Sequence, residues 1–244
     1  MLLRIENIYA GYDGGDILKG VNIDIAAGTT TCVVGPNGAG KSTVLRVISG
    51  LLKPRQGKII FDEQSIGGLT PRQVLDLGIV QVPQNHSLFP LMTVEQNVRL
   101  GAYILNDQRL VDRRLEQVRE MFPIVKERAK EKASSLSGGQ QRLVEFARCL
   151  MLEPRVILLD EPSMGLDPRT FKYVIDTIQV MKNSGRTILL IEQNARTGLS
   201  IADQGVVLES GRVRLSGTHT EVLNNPEIGH LYLGGSLSKS EDPE

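Results

Sequence analysis

Apolar and polar positions along the chain lay out a mixed order of strands and helices. Leu3, Ile5 and Ile8 predict an opening strand, followed by a loop over Gly11-Tyr12-Asp13-Gly14-Gly15. Val21, Ile23 and Ile25 alternate with Asn22 and Asp24, the period-two pattern of a half-buried antiparallel strand, which Gly28 ends. Thr29-Thr30-Thr31-Cys32-Val33-Val34 does not alternate. A β-branched run of that kind predicts a strand covered on both faces. Val44, Leu45 and Ile48 then share one helical face, and Lys58-Ile59-Ile60-Phe61 is a further strand.

Thr70-Pro71-Arg72-Gln73 has the form of a helix start, with proline at the first helical position and glutamine closing a capping box. Gly78 ends that helix, and Ile79-Val80-Gln81-Val82 predicts a buried strand leading to Pro83-Gln84. From about 85 to 155 the period becomes helical. Thr93 caps a helix through Gln96. Val111, Leu115, Val118 and Phe122 recur at helical spacing, with the charges between them on a solvated face. Leu143, Phe146, Ala147 and Leu150 mark another helix, opened by Ser137-Gly138-Gly139-Gln140. Arg155 to Leu159 is an apolar strand ending in Asp160-Glu161. Asp167-Pro168 starts a helix carrying Phe171, Val174, Ile175 and Ile178. Thr187 to Ile191 is a core strand. Gly205–Leu208 and Arg212–Leu215 form a hairpin about Gly211, and Thr218 with Glu221 makes another capping box. This order predicts an α/β fold with a helical insertion. The tail from Gly234 is small and polar and is expected to be disordered.

Composition narrows the class. The 244 residues allow one or two domains and a sizeable core. Lys+Arg and Asp+Glu both number 28, so no excess of charge favours nucleic acid or a lipid surface, and no nucleic-acid partner is expected. No apolar run reaches the length of a membrane span. Met1-Leu2-Leu3-Arg4-Ile5-Glu6 is too soon charged for a signal peptide. Cys32 and Cys149 sit in apolar patterns and are expected as buried free thiols of a reducing cytosol. His86, His219 and His230 are scattered, without zinc-like spacing.

The chemistry centres on Gly35-Pro36-Asn37-Gly38-Ala39-Gly40-Lys41-Ser42-Thr43, the G-x-x-x-x-G-K-S pattern of a phosphate-binding loop. Its glycines let successive N–H groups face one anion, at the start of a helix whose dipole favours negative charge. Lys41 adds a cation for β- and γ-phosphates, and Ser42 a hydroxyl for Mg²⁺. Asp160 and Glu161 sit at the end of a buried strand, where α/β folds bind ligands. Asp160 suits a hydrated Mg²⁺, and Glu161 suits polarisation of an attacking water. Ser137-Gly138-Gly139-Gln140 is either a capped helix start alone or a second anion site. Tyr12 is either a loop tyrosine or a platform for a base.

The order of the phosphate loop (35–43), Gln84, Leu136-Ser137-Gly138-Gly139-Gln140, the 156–161 strand and Ser163-Met164-Gly165-Leu166-Asp167 resembles the ABC ATPase family along nearly the whole chain. The resemblance implies a P-loop, RecA-like core with an antiparallel β subdomain and an inserted α-helical subdomain. It implies one domain over 1–234, the helical part at about 85–155, and a tail at 235–244. It further implies a head-to-tail dimer binding ATP and Mg²⁺ between the phosphate loop of one subunit and Ser137–Gln140 of the other. By the same likeness Tyr12 stacks on adenine, Gln84 contacts Mg²⁺ and senses a membrane partner, and Asp167 couples the two sites.

One position departs. The family usually carries a histidine where this chain has Gln193, within Ile191-Glu192-Gln193-Asn194. Glutamine donates and accepts hydrogen bonds but carries no positive charge. This variant, with Phe89–Asn97 and Leu100–Tyr103, is similar to the F-type ATP-binding subunit of branched-chain amino-acid importers and its neutral amino-acid and urea relatives. Met164 and Asp167-Pro168 differ from that branch's common S-L-G-L-A-P. The likeness implies an ATPase on the inner face of the cell membrane, working with permease subunits, a second ATP-binding subunit and an extracytoplasmic binding protein. A soluble ABC ATPase of cofactor assembly or regulation is the alternative. A non-hydrolytic module fits less well with Lys41, Asp160 and Glu161 all present.

Overall fold

The computed structural model describes residues 1–226. The proposed tail at 235–244 and His230 lie outside the described residues. The first antiparallel pair is β1 (Leu3–Tyr12) and β2 (Gly15–Ile25), followed by β3 (Thr30–Val34) and α1 (Lys41–Ile48). Next come β4 (Gln56–Phe61), the two-residue β5 (Gln64–Ser65), α2 (Pro71–Asp76) and β6 (Ile79–Val82). The helical block is α3 (Val94–Arg99), α4 (Gln108–Met121), α5 (Pro123–Glu127) and α6 (Gly138–Leu150). The chain closes with β7 (Val156–Asp160), α7 (Pro168–Asn183), β8 (Thr187–Glu192), α8 (Ala195–Ser200), β9 (Gln204–Glu209), β10 (Arg212–Thr218) and α9 (His219–Leu223).

The strands form two sheets. A four-stranded antiparallel sheet runs β2-β1-β4-β5, and a six-stranded sheet runs β10-β9-β3-β8-β7-β6. The larger sheet is parallel except for the β9–β10 hairpin. Its inner strands β3, β7 and β8 are buried on both faces, which is why they read as nearly unbroken apolar runs. Successive residues feed two cores. Val34, Ile157, Leu159, Ile188 and Leu190 face the helical block, while Val33, Leu158, Leu189 and Ile191 face α1 and the antiparallel sheet.

The expected loop at Gly11–Gly15 shrinks to a turn at Asp13-Gly14, because Tyr12 pairs with Gly15 and Gly11 with Asp16. A Cβ on Gly11 would lie 1.9 Å from the Gly15 carbonyl oxygen, so this glycine serves a close strand approach. The helical block leaves β6 and returns to β7, its neighbour in the sheet. Its first α-helix starts at Val94 under the expected Thr93 cap, so 85–92 is irregular backbone although the helical period was expected from about 85. The capping boxes at Thr70, Thr93, Ser137 and Thr218 form as expected. Both cysteines are buried free thiols. Burial pushes Cys32 well above the ordinary thiol range, helped by Glu192, and pushes Cys149 up to about 12.

Candidate functional site

The phosphate loop takes its shape mostly from its own backbone. Gly40 caps α1 at φ 104°, a conformation L side chains rarely adopt. A Cβ on Gly35 would stand 2.2 Å from the Leu208 carbonyl oxygen, so the loop can lie against β9 only with glycine there. The buried Lys41 ammonium donates back to the carbonyls of Gly35 (2.8 Å) and Pro36 (3.2 Å). Asn37, Gly38, Gly40, Lys41, Ser42 and Thr43 line one cavity of about 450 Å³, together with Gln84, Glu161 and Gln193. Ile17 and Met164 complete that wall, and the motifs did not point to either as lining residues.

Carboxylates arrive from the end of β7. The Ser42 hydroxyl donates to Asp160 Oδ1 at 3.0 Å. Burial pushes the Asp160 carboxyl up, the Ser42 hydrogen bond pulls it down, and nearby Glu161 pushes it up again. Glu161 has φ 45°, strained for a residue with a side chain. Its carboxylate lies 3.7 Å from Lys41 Nζ and accepts from Gln84 Nε2 at 2.9 Å. The same Gln84 nitrogen lies 3.0 Å from Met164 Sδ.

Gln84 is held from behind by α6. Arg142 donates to the carbonyls of Pro83 (2.8 Å) and Gln84 (2.6 Å) and pairs with Glu145 at 2.9 Å. Glu145 accepts from the Ser87 amide and hydroxyl, while Arg148 donates to the Ser87 carbonyl at 2.9 Å and to its hydroxyl. Asn97 clasps the far end, accepting from Phe89 N and donating to the carbonyls of Phe89, Met92 and Thr93. A segment outside sheet and helix must find partners for its buried backbone groups, and side chains supply them here. The sequence signal was three charges at 142, 145 and 148 inside an apolar helix. α6 is buried nearly all round, so each of them needs a partner.

Ser137, Gly139 and Gln140 line a different cavity of about 590 Å³, with Arg169, Thr170 and Arg128. Within this chain the structure does not bring them to the phosphate loop. Gly139 is also required by packing: a Cβ there would lie 1.8 Å from Thr170 Cγ2, where α6 meets α7. Asp167 caps α7, accepting from the amides of Arg169 (3.0 Å) and Thr170 (3.1 Å). Tyr12 is 44 % exposed and outside both cavities, its hydroxyl accepting from Arg46 at 2.8 Å.

The residues fit a magnesium nucleotide. The loop encloses a buried cation with, among the described residues, no carboxylate closer than 3.7 Å, and a Cβ on Gly38 would meet nothing within 4 Å, leaving room for phosphate. Among the described residues no group of three or more His, Cys, Asp or Glu is placed to hold a metal. A Ser42–Asp160 pair is what Mg²⁺ needs when phosphate oxygens and waters fill its other positions.

The sequence model of the ABC transporter family matches residues 18–164. The chain is 36% identical over 234 residues to the probable branched-chain amino acid transport ATP-binding protein LivF of Archaeoglobus fulgidus, covering 96% of this chain and 99% of that one. It is 33% identical over 234 residues to the high-affinity branched-chain amino acid transport ATP-binding protein BraG of Pseudomonas aeruginosa, covering 96% and 100%. A lipopolysaccharide export system ATP-binding protein, LptB of Haemophilus influenzae, matches at 32% over 96% of this chain and 97% of that one. The ADP conformation of an ATP-binding cassette of an ABC transporter superposes with a TM-score of 0.86 at 31% identity, over 96% of this chain and 99% of the other. Motif order, two-sheet architecture and full-length likeness agree: this chain belongs to the ABC transporter family, as an ATPase with the ATP-binding cassette fold.

Proposed function

We propose that this chain is the ATP-hydrolysing subunit of an importer for branched-chain or other neutral amino acids. Full-length likeness to cassettes named for that transport, and the Glu192-Gln193-Asn194 variant, support the solute class. The observation that carries a membrane partner is an apolar groove beside the site. It has a volume of about 440 Å³ and is lined by Leu75, Val82, Phe89, Tyr103, Cys149 and Leu152. Phe89, Leu91 and Tyr103 stand 54%, 79% and 66% exposed on the same segments, and such apolar exposure marks an interaction surface. Glu145 and Arg148 line this groove and also hold Ser87, three residues from Gln84. A permease helix seated there would bear on the loop that presents Gln84 to the nucleotide. Among the described residues no helix is long and apolar enough to cross a membrane.

Phosphoryl transfer asks mainly for positioning and charge stabilisation. Bound Mg²⁺ would supply charge neutralisation on the β- and γ-phosphates, held by Ser42 and Asp160 with Gln84 nearby. Residues 35–43 present backbone N–H groups, and Lys41 gives up its loop carbonyls for phosphate oxygens. Glu161 orients and polarises the attacking water, and Gln193 hydrogen-bonds to the γ-phosphate or that water. Tyr12 stacks on adenine. Ser137 to Gln140 act on nucleotide held by a second cassette, which accounts for their separate cavity. Asp167 fixes the turn between the two sites.

The test is a gentle detergent pull-down of the tagged chain from its own cells, with mass spectrometry of its partners. Permease-like proteins and a second cassette are the expected result. A wholly soluble set would replace the transport reading with a soluble ABC ATPase. Independently, Glu161→Gln should retain ATP binding and lose roughly 10²- to 10⁴-fold in turnover, the usual worth of a positioned base. Unchanged steady-state hydrolysis would remove Glu161 from that role.

A further inference from the structure

Glu192 ends β8 beside the nucleotide cavity, yet no motif assigns it a task. It is 2% exposed. Burial pushes its carboxyl above the ordinary range, opposed by hydrogen bonds from Ser163. A buried carboxylate close to Glu161 is expensive, so its partners indicate what it does.

The β7–β8 ladder shows that partner. The parallel register runs from Val156↔Thr187 to Asp160↔Ile191. One step on, the Glu161 amide still donates to the Ile191 carbonyl at 3.0 Å. Pro162 has no N–H to offer. The next donor, the Ser163 amide, finds no strand carbonyl and donates to Glu192 Oε1 at 3.2 Å. Gly198 of α8 backs the stem of Glu192 so closely that a Cβ there would lie 2.8 Å from Glu192 Cβ. Glu161, Ser163, Glu192 and Gln193 all face one hollow of about 380 Å³.

We infer that Glu192 is a positioning residue for hydrolysis, its carboxylate prolonging the β7–β8 ladder past Pro162 and fixing the Glu161–Ser163 segment. This rests on Glu161 as the base that polarises water. Together with the Glu161–Ile191 backbone bond it pins both sides of a residue held at φ 45°, and it ties the Gln193 end of β8 to the turn reaching Asp167. A neutral acceptor of the same length would make the same bond. The carboxylate's proton has no part in it.

Two variants separate positioning from packing and from proton transfer. Glu192→Gln keeps an acceptor, while Glu192→Leu fills the space without one. With the full-length chain and MgATP, Glu192→Leu should lower kcat roughly 10- to 100-fold, the usual consequence of a misplaced catalytic group. Its KM for ATP should stay within roughly twofold and its Tm should not fall, since a buried charge is gone. Glu192→Gln should recover kcat to within roughly threefold of the parent. Equal slowing in both variants, or full turnover in Glu192→Leu, would overturn the inference. Glu161→Gln is measured alongside: if that variant hydrolyses ATP at the parent rate, the base assignment fails, whatever the Glu192 variants do.

Discussion

Two loops line the proposed nucleotide cavity, and they are built by opposite means. Residues 35–43 are shaped by their own backbone: Lys41 finds its carbonyls five and six residues back, and Gly40 adopts a conformation only glycine takes easily. Residues 83–93 take much of their shape from elsewhere. Their carbonyls are held by Arg142 and Arg148, which lie 58 to 61 residues away in sequence. The first loop fits an anion whatever docks outside. The second is held by α6 at one end and by Asn97 of α3 at the other, which suits a segment lying between the proposed docking groove and the proposed base Glu161.

The strongest way to break this contrast is to cut the distant support. Arg142→Ala leaves Glu145 without its nearest cation and two carbonyls without donors. The expected loss is about 3–5 kcal/mol of stability, typical of breaking a buried pair, read by urea denaturation. ATP affinity of the folded fraction should move by less than roughly threefold, because the phosphate loop does not depend on α6. Cutting the local design should do the reverse. Gly40→Ala strains φ and pushes a methyl within 2.8 Å of Leu18 Cδ2. Strain of about 1–3 kcal/mol, with the loop displaced from its anion-binding shape, predicts ATP binding weaker by roughly 10- to 100-fold in a fluorescent-nucleotide titration and a Tm lower by only a few degrees.

Smaller tests refine the picture within each region. Thr93 caps α3 through its own neighbour Gln96, so the distal end of 83–93 is partly local. Thr93→Ala should cost about 1 kcal/mol in chemical denaturation, well short of Arg142→Ala. Asp167 is held below the usual carboxylate range by hydrogen bonds from Thr170, then by the Arg169 amide. A depressed carboxylate stabilises above its unfolded pKa and loses that contribution as pH falls through its folded value. Asp167→Ala should therefore lower Tm slightly at neutral pH, and the gap should close on acidification.

The same division governs what could be read from the chain. Features encoded within a few residues were legible: the phosphate loop between strand and helix, four capping boxes, the Asp160-Glu161 strand end and the β9–β10 hairpin. The short α8, capped by Asn194, and the two-residue β5 carried too little period to register. The contraction of the Gly11–Gly15 loop depended on pairing between strands. The clasp behind Gln84 was hidden because Arg142, Glu145 and Arg148 resemble ordinary surface charges until their helix is known to be enclosed. Gly139 carries a second constraint: its motif points to phosphate, and Thr170 also excludes a side chain there for reasons of packing.

The two buried thiols have a practical corollary. Maleimide and disulfide reagents react with exposed thiolate, and neither Cys32 nor Cys149 offers it at neutral pH. For labelling purposes the native chain is already cysteine-free, since it contains no third cysteine. A dye attached through Leu91→Cys, two residues from Phe89 and 79% exposed, would report from that position far ahead of either native thiol.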